Sequence, residues 1–95
     1  MDELDLEATH NLLNEIIEYE LAGVVRYTHY SLMVRGPSRI PIVEFFKAQA
    51  AESLDHAQQA GEILTGLEGH PTVNVATIQE TNQHSISALL KESYE

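Results

Sequence analysis

Between Asp5 and Val34 the apolar residues recur every three or four positions. Leu13, Ile16 or Ile17, Val24, Tyr27, and Met33 or Val34 trace one face of a helix. The stretch has no proline and a single glycine, Gly23, so little interrupts it. At about 1.5 Å per residue this helix is roughly 45 Å long. "RGPS" ends it: Gly36 suits a left-handed cap position, Pro37 cannot continue the helix, and Ser38 can cap the next one. Pro41 is tolerated because it falls in a first turn. A second stripe follows through Ile42, Phe45, Gln49, Glu52, His56, Ala60, Ile63 or Leu64, and Leu67. Its steps alternate between three and four residues, which puts these positions on one apolar helical face. "EGHP" closes it, with Gly69 as cap and Pro71 as stop. A short link between two long helices predicts an antiparallel hairpin.

Beyond the hairpin, Thr72 to Ala76 reads as an extended connection. "TIQE" then offers a capping box, Thr77 at the N-cap and Glu80 three residues later. The helix it would open carries Ile78, Ile86, Leu89, Leu90 and Tyr94 on its apolar side. The pattern predicts helices over about 5–35, 39–68 and 78–95. That is an all-α single domain: a long antiparallel hairpin plus a third helix cut short at Glu95, a half-bundle that pairing would complete. There is no internal repeat and no low-complexity tract.

Composition narrows the class. Ninety-five residues allow one small domain, and a hydrophobic fraction of 43% argues for a folded chain. No apolar run is long enough to span a bilayer, and the acidic N-terminus resembles neither a signal peptide nor a transit peptide, so no membrane role is expected. A net charge of −10 repels phosphate backbones and argues against nucleic-acid binding. The chain has no cysteine, which fits a reducing, cytoplasmic compartment and leaves only oxygen and nitrogen ligands for any metal. The acidic "MDELDLE" places favourable charge near a helix start.

Glu52 and His56 are out of place in an apolar stripe, since buried charges need partners or a metal. Glu20 falls in the first helix's stripe, between Ile16 and Val24. Counted from the turn at Gly36 and Pro37, Glu20 lies about as far back as Glu52 and His56 lie forward, so an antiparallel hairpin brings all three to one level. Two readings fit that convergence. One is a hydrogen-bonded polar cluster with no further role. The other is a carboxylate-rich metal site, where two Glu oxygens and one imidazole nitrogen suit iron, manganese or zinc.

"LLNEIIEYELAGVVRYTHYSLM" followed by "AESLDHAQQAGEILTGLEGHP" resembles the first half of a bacterioferritin, within the ferritin-like superfamily. The resemblance covers about Leu12 to the C-terminus. It implies a ferritin-like bundle, oxidation of Fe(II) by oxygen or peroxide at a di-iron site, and storage of iron in a hollow shell. Glu20 and His56 would correspond to iron ligands, and Tyr27 to a tyrosine beside the di-iron centre, although an ordinary core tyrosine explains it as simply. The sequence departs from the family at Ser53, where Glu-x-x-His would put the carboxylate. Glu52, on the same helical face as His56, is the candidate to replace it. Haem is not expected, because Leu54 stands where the family places the haem-ligating Met. His10, His29, His70 and His84 show no partner pattern and read as surface or locally bonded, and Met33 reads as packing.

The function expected is therefore bacterioferritin-like iron binding, Fe(II) oxidation and storage, with ferroxidase activity by Glu20, Glu52 and His56. One Glu–Glu–His set underfills two iron positions, so the partner is a second copy in a homodimer or higher homo-oligomer, or a chain supplying the missing helices. Either a natural half-ferritin or a fragment fits that pattern. The rival is a non-catalytic helical assembly module that has lost the metal.

Overall fold

The computed structural model describes residues 2–79 and 81–93. It contains α1 (Glu3–Met33), α2 (Arg39–Gly66) and α3 (Ile86–Ser93), with no strand among the described residues. The molecule is elongated, 55 × 20 × 18 Å, because α1 and α2 lie side by side as the predicted hairpin. No helix among the described residues is long and apolar enough to cross a membrane.

α1 starts two residues earlier than the periodicity suggests, because Asp2 caps it by accepting from the Asp5 amide at 2.9 Å. Gly36 takes the positive φ of 125° that the turn requires. Ser38 occupies the N-cap of α2, but its side chain makes no capping bond. At the other end of α2 the left-handed residue is Glu68, not Gly69. The Glu68 amide donates to Thr65 at 3.0 Å and the Gly69 amide to Leu64 at 2.9 Å, the paired bonds of a Schellman motif. Gly69 is needed for space: a Cβ there would collide with the Leu64 side chain and lie 3.1 Å from His10.

The buried face of α2 is turned by about one residue from the expected stripe. Val43, Phe46, Ala50, Ser53, Ala57, Ala60 and Leu64 pack inward. Glu52 and His56 stand at the edge of that face, with side chains 61% and 47% exposed. The inward set is rich in small residues, which let the two backbones approach closely. A Cβ at Gly23 of α1 would lie 3.3 Å from Ser53 Cβ and 2.7 Å from its Oγ. The larger side chains gather at the two ends. Ile17, Ala60 and Leu64 form one cluster, and Tyr30, Val34, Val43, Phe46 and Leu89 form the other.

The third helix differs most from expectation. Thr77, Ile78 and Gln79 are not helical, and α3 begins only at Ile86; Glu80 and Tyr94 lie outside the described residues. The connection instead runs the length of α1. Thr72 donates to the Asn14 side chain at 2.9 Å, Ala76 to the Glu18 carbonyl at 3.1 Å, and the His84 ring to the Met33 carbonyl at 2.8 Å. From Glu18 to Met33, α1 climbs roughly 22 Å. Between Ala76 and His84 the connection covers the same rise at about 2.8 Å per residue, close to a strand's 3.3 Å and far above a helix's 1.5 Å. A helix starting at Thr77 could not reach.

α3 therefore starts at the turn end of the hairpin and runs back toward its middle, docked through the fully buried Leu89 against Tyr30 and Phe46. Eight residues are too few to hold a helix in water unaided. Leu89→Ala should thus cost about 2–5 kcal/mol. Amide protection should be lost over 86–93 while α1 and α2 stay protected, as hydrogen exchange will show; full protection of α3 in the variant would refute this anchoring.

Candidate metal centre

Glu20, on α1, and His56, on α2, meet across the hairpin where the small residues bring the backbones together. Glu20 Oε1 lies 3.5 Å from His56 Nδ1, and Glu52 Oε1 lies 3.9 Å from the other ring nitrogen, Nε2. Both separations are too long for good hydrogen bonds. Glu20 is mostly buried, with 19% of its side chain exposed.

The spacing of the first pair has chemical meaning. Two donors about 2.1 Å from a common ion, at octahedral to tetrahedral angles, lie roughly 3.0–3.4 Å apart. The Glu20–His56 pair is within a few tenths of an ångström of that. Glu52 does not join it, because the imidazole ring stands between the two carboxylates and turns one nitrogen toward each. Among the described residues no three His, Asp or Glu side chains converge closely enough to hold an ion. The donor chemistry thus fits half of an oxygen–nitrogen site, a pair open on one side.

That side is a cleft of about 620 Å³, lined by Tyr19, Glu20, Glu52 and His56 of the hairpin, by Ala76 to Gln79 of the connection, and by Glu92 of α3. Ser53, where the carboxylate of Glu-x-x-His would stand, packs against Gly23 and also borders the cleft, so the chain puts a hydroxyl there instead of a ligand carboxylate. Tyr27 lines the cleft and stacks on Phe46, with ring centroids 6.4 Å apart. Tyr27 therefore serves the core and borders the cleft at once.

The remaining histidines are spread along the fold. His10 Nε2 donates to the Leu67 carbonyl at 2.8 Å, and His84 Nδ1 to that of Met33 at 2.8 Å. Each satisfies an orphan carbonyl at the end of a helix that has no basic residue in its last turn. Asn14 donates to the His70 carbonyl at 3.2 Å.

Two cleft residues were not picked out by the sequence. Glu92 accepts from Thr81 Oγ1 at 2.8 Å. It reaches the cleft only because α3 begins at the turn end of the hairpin, so periodicity carried no signal for it. Arg26 also lines the cleft, its guanidinium carbon 5.3 Å from the centroid of the Tyr27 ring. Burial raises the Tyr30 phenol above its ordinary value, Arg26 opposes that rise, and Glu92 adds to it.

A model of the ferritin-like domain matches residues 10–95. The chain belongs to the ferritin-like domain family. Among solved structures this ferritin-like domain is similar to a ferritin-like, diiron-carboxylate protein from Bacillus anthracis str. Ames. The TM-score is 0.84 at 23% identity, over 96% of this chain and 63% of that one. At that identity the likeness shows the fold, and the chain spans less than two thirds of that protein's length. A comparison with curated proteins returns no match. The end-to-end connection before α3 agrees with the single long crossover of ferritin-like bundles.

The raised phenol of Tyr30 gives a pH prediction. Its neutral form is favoured in the folded state, so its contribution is full below the unfolded value of 10.0 and is lost as pH rises beyond it. Tyr30→Phe should flatten the alkaline fall in stability, measured by denaturant unfolding at increasing pH. An unchanged alkaline limb would count against a buried phenol at this position.

Proposed function

We propose that this ferritin-like domain binds Fe(II) at the Glu20–His56 pair and takes part in its oxidation and storage in the manner of a bacterioferritin. The observation that carries the reading is the pair's spacing of 3.5 Å between one carboxylate oxygen and one imidazole nitrogen, at the mouth of an acidic cleft. Such donors suit Fe(II). Each Fe(II) is a substrate that gives up one electron to oxygen or peroxide. His56 binds through neutral Nδ1. Glu52, at the far side of the ring, holds the proton on Nε2 and fixes the ring's orientation, as carboxylates behind metal-bound histidines do.

One pair is not a complete site. Beside it Ile16, Tyr19, Phe45 and Ile63 leave apolar surface open on the same side of the hairpin. A second copy of the chain, or a chain supplying further helices, covers this surface and adds the missing ligands. A two-fold pairing brings two half-sites together, which makes a di-iron centre. The interface is then of the obligate kind, about 2,000 Å² or more. Light scattering during Fe(II) titration should find a dimer or larger species, and a stable monomer that binds iron at full affinity would defeat the pairing.

The second reading, a helical assembly module without metal, draws on Ser53, which packs against Gly23 and puts a hydroxyl at the usual position of a ligand carboxylate. Iron content after anaerobic Fe(II) loading separates the two. In the iron-handling reading His56→Ala abolishes loading, Glu52→Gln weakens it roughly ten- to a hundred-fold, and helical circular dichroism stays constant. Acidification also releases the metal, since a protonated ring cannot ligate. Equal loading of wild type and the His56→Ala variant would rule out this site.

A further inference from the structure

Arg26 is one of only five Lys and Arg residues in a chain of net charge −10, and it lines the same cleft as Glu20, Glu52 and Glu92. Among the described residues it nevertheless forms no ion pair with any of them. Its Nε is fully buried and has no hydrogen-bond partner. The guanidinium instead lies beside the Tyr27 ring. A cation held in this way keeps its charge at the cleft, because no described carboxylate pairs with it and little solvent reaches its Nε.

We infer that Arg26 is the cleft's built-in counter-charge, which weakens the hold on any cation at the Glu20–His56 pair and does so more strongly for a trivalent than for a divalent ion. The inference rests on the iron-handling reading and extends it to the release of product. The repulsion an ion feels from a fixed charge grows in proportion to the ion's own charge. Arg26 therefore disfavours Fe(III) half as much again as Fe(II), which offsets part of the stronger hold that Glu20, Glu52 and Glu92 have on the oxidised ion and eases its release toward storage. Arg26 also acts on the neighbouring Tyr30 phenol, outside this cleft, and holds it lower than burial alone would.

The test compares Co(II) and Ga(III) binding to the full chain, with Ga(III) supplied as its citrate complex. Each titration is repeated in the His56→Ala background to subtract other acidic sites. Arg26→Met removes the charge and keeps most of the stem's packing; Arg26→Gln is the second neutral variant if the first folds poorly, and Arg26→Lys keeps the charge. Both neutral variants should tighten Co(II) roughly ten-fold and Ga(III) roughly thirty-fold, since one potential acts on two charges and then on three. Arg26→Lys should match wild type. Independently of any metal, the neutral variants should raise the Tyr30 phenol further. Equal gains for both ions, weaker binding, or an unmoved Tyr30 would overturn the inference while leaving the iron-handling reading intact. Absence of His56-dependent binding in every variant would defeat both.

Discussion

Gly23 and Ser53 meet at a close approach of the two long helices, and the rest of the molecule is arranged around that contact. With no side chain on one helix and a hydroxymethyl group on the other, the backbones approach more nearly than Leu or Phe would allow. Ala50, Ala57 and Ala60 extend the narrow seam along α2. The bulkier groups are displaced to the two ends, and the side chains flanking the seam face each other across a short gap. Glu20 and His56 are two of them. The spacing that makes them a candidate ligand pair is thus a consequence of small residues that touch no ligand.

The same contact accounts for Ser53. A glutamate at that position would have to turn out of the seam into the cleft that Ser53 also borders. One residue back, at the exposed edge, Glu52 faces the opposite nitrogen of the imidazole from Glu20. Two carboxylates on opposite sides of one ring make an oriented histidine, whereas two on the same side would make a closed site.

The connection after α2 contributes by its length. Because it runs extended along α1, it forms one wall of the cleft and delivers α3 to the turn end, so that Glu92 reaches the same space as Glu20. Two histidines hold its ends to the hairpin: His10 bonds the last turn of α2, and His84 the last turn of α1. The cleft that results has acidic walls and a single guanidinium beside its aromatic floor. Its electrostatics are therefore set by three separate elements, none of which encodes the balance alone.

Much of this was legible in the residues in order. The hairpin follows from uninterrupted helical periodicity on both sides of a Gly-Pro break, and the level meeting of Glu20 with His56 follows from counting away from that break. Such features depend on local spacing, which a chain carries wherever it folds. The inward face of α2 was misjudged by one position, because alanines and a serine carry little hydrophobic signal although they define the closest packing. The third helix was placed too early because "TIQE" is a sound local cap, while the distance the chain must cover to the turn end forbids a helix there. Arg26 and Glu92 gave no sign of belonging together, since their neighbourhood exists only after α3 has docked. Periodicity and caps are properties of neighbours in sequence; close approach, reach and the field in a cleft belong to residues far apart in the chain, and only the folded arrangement decides them.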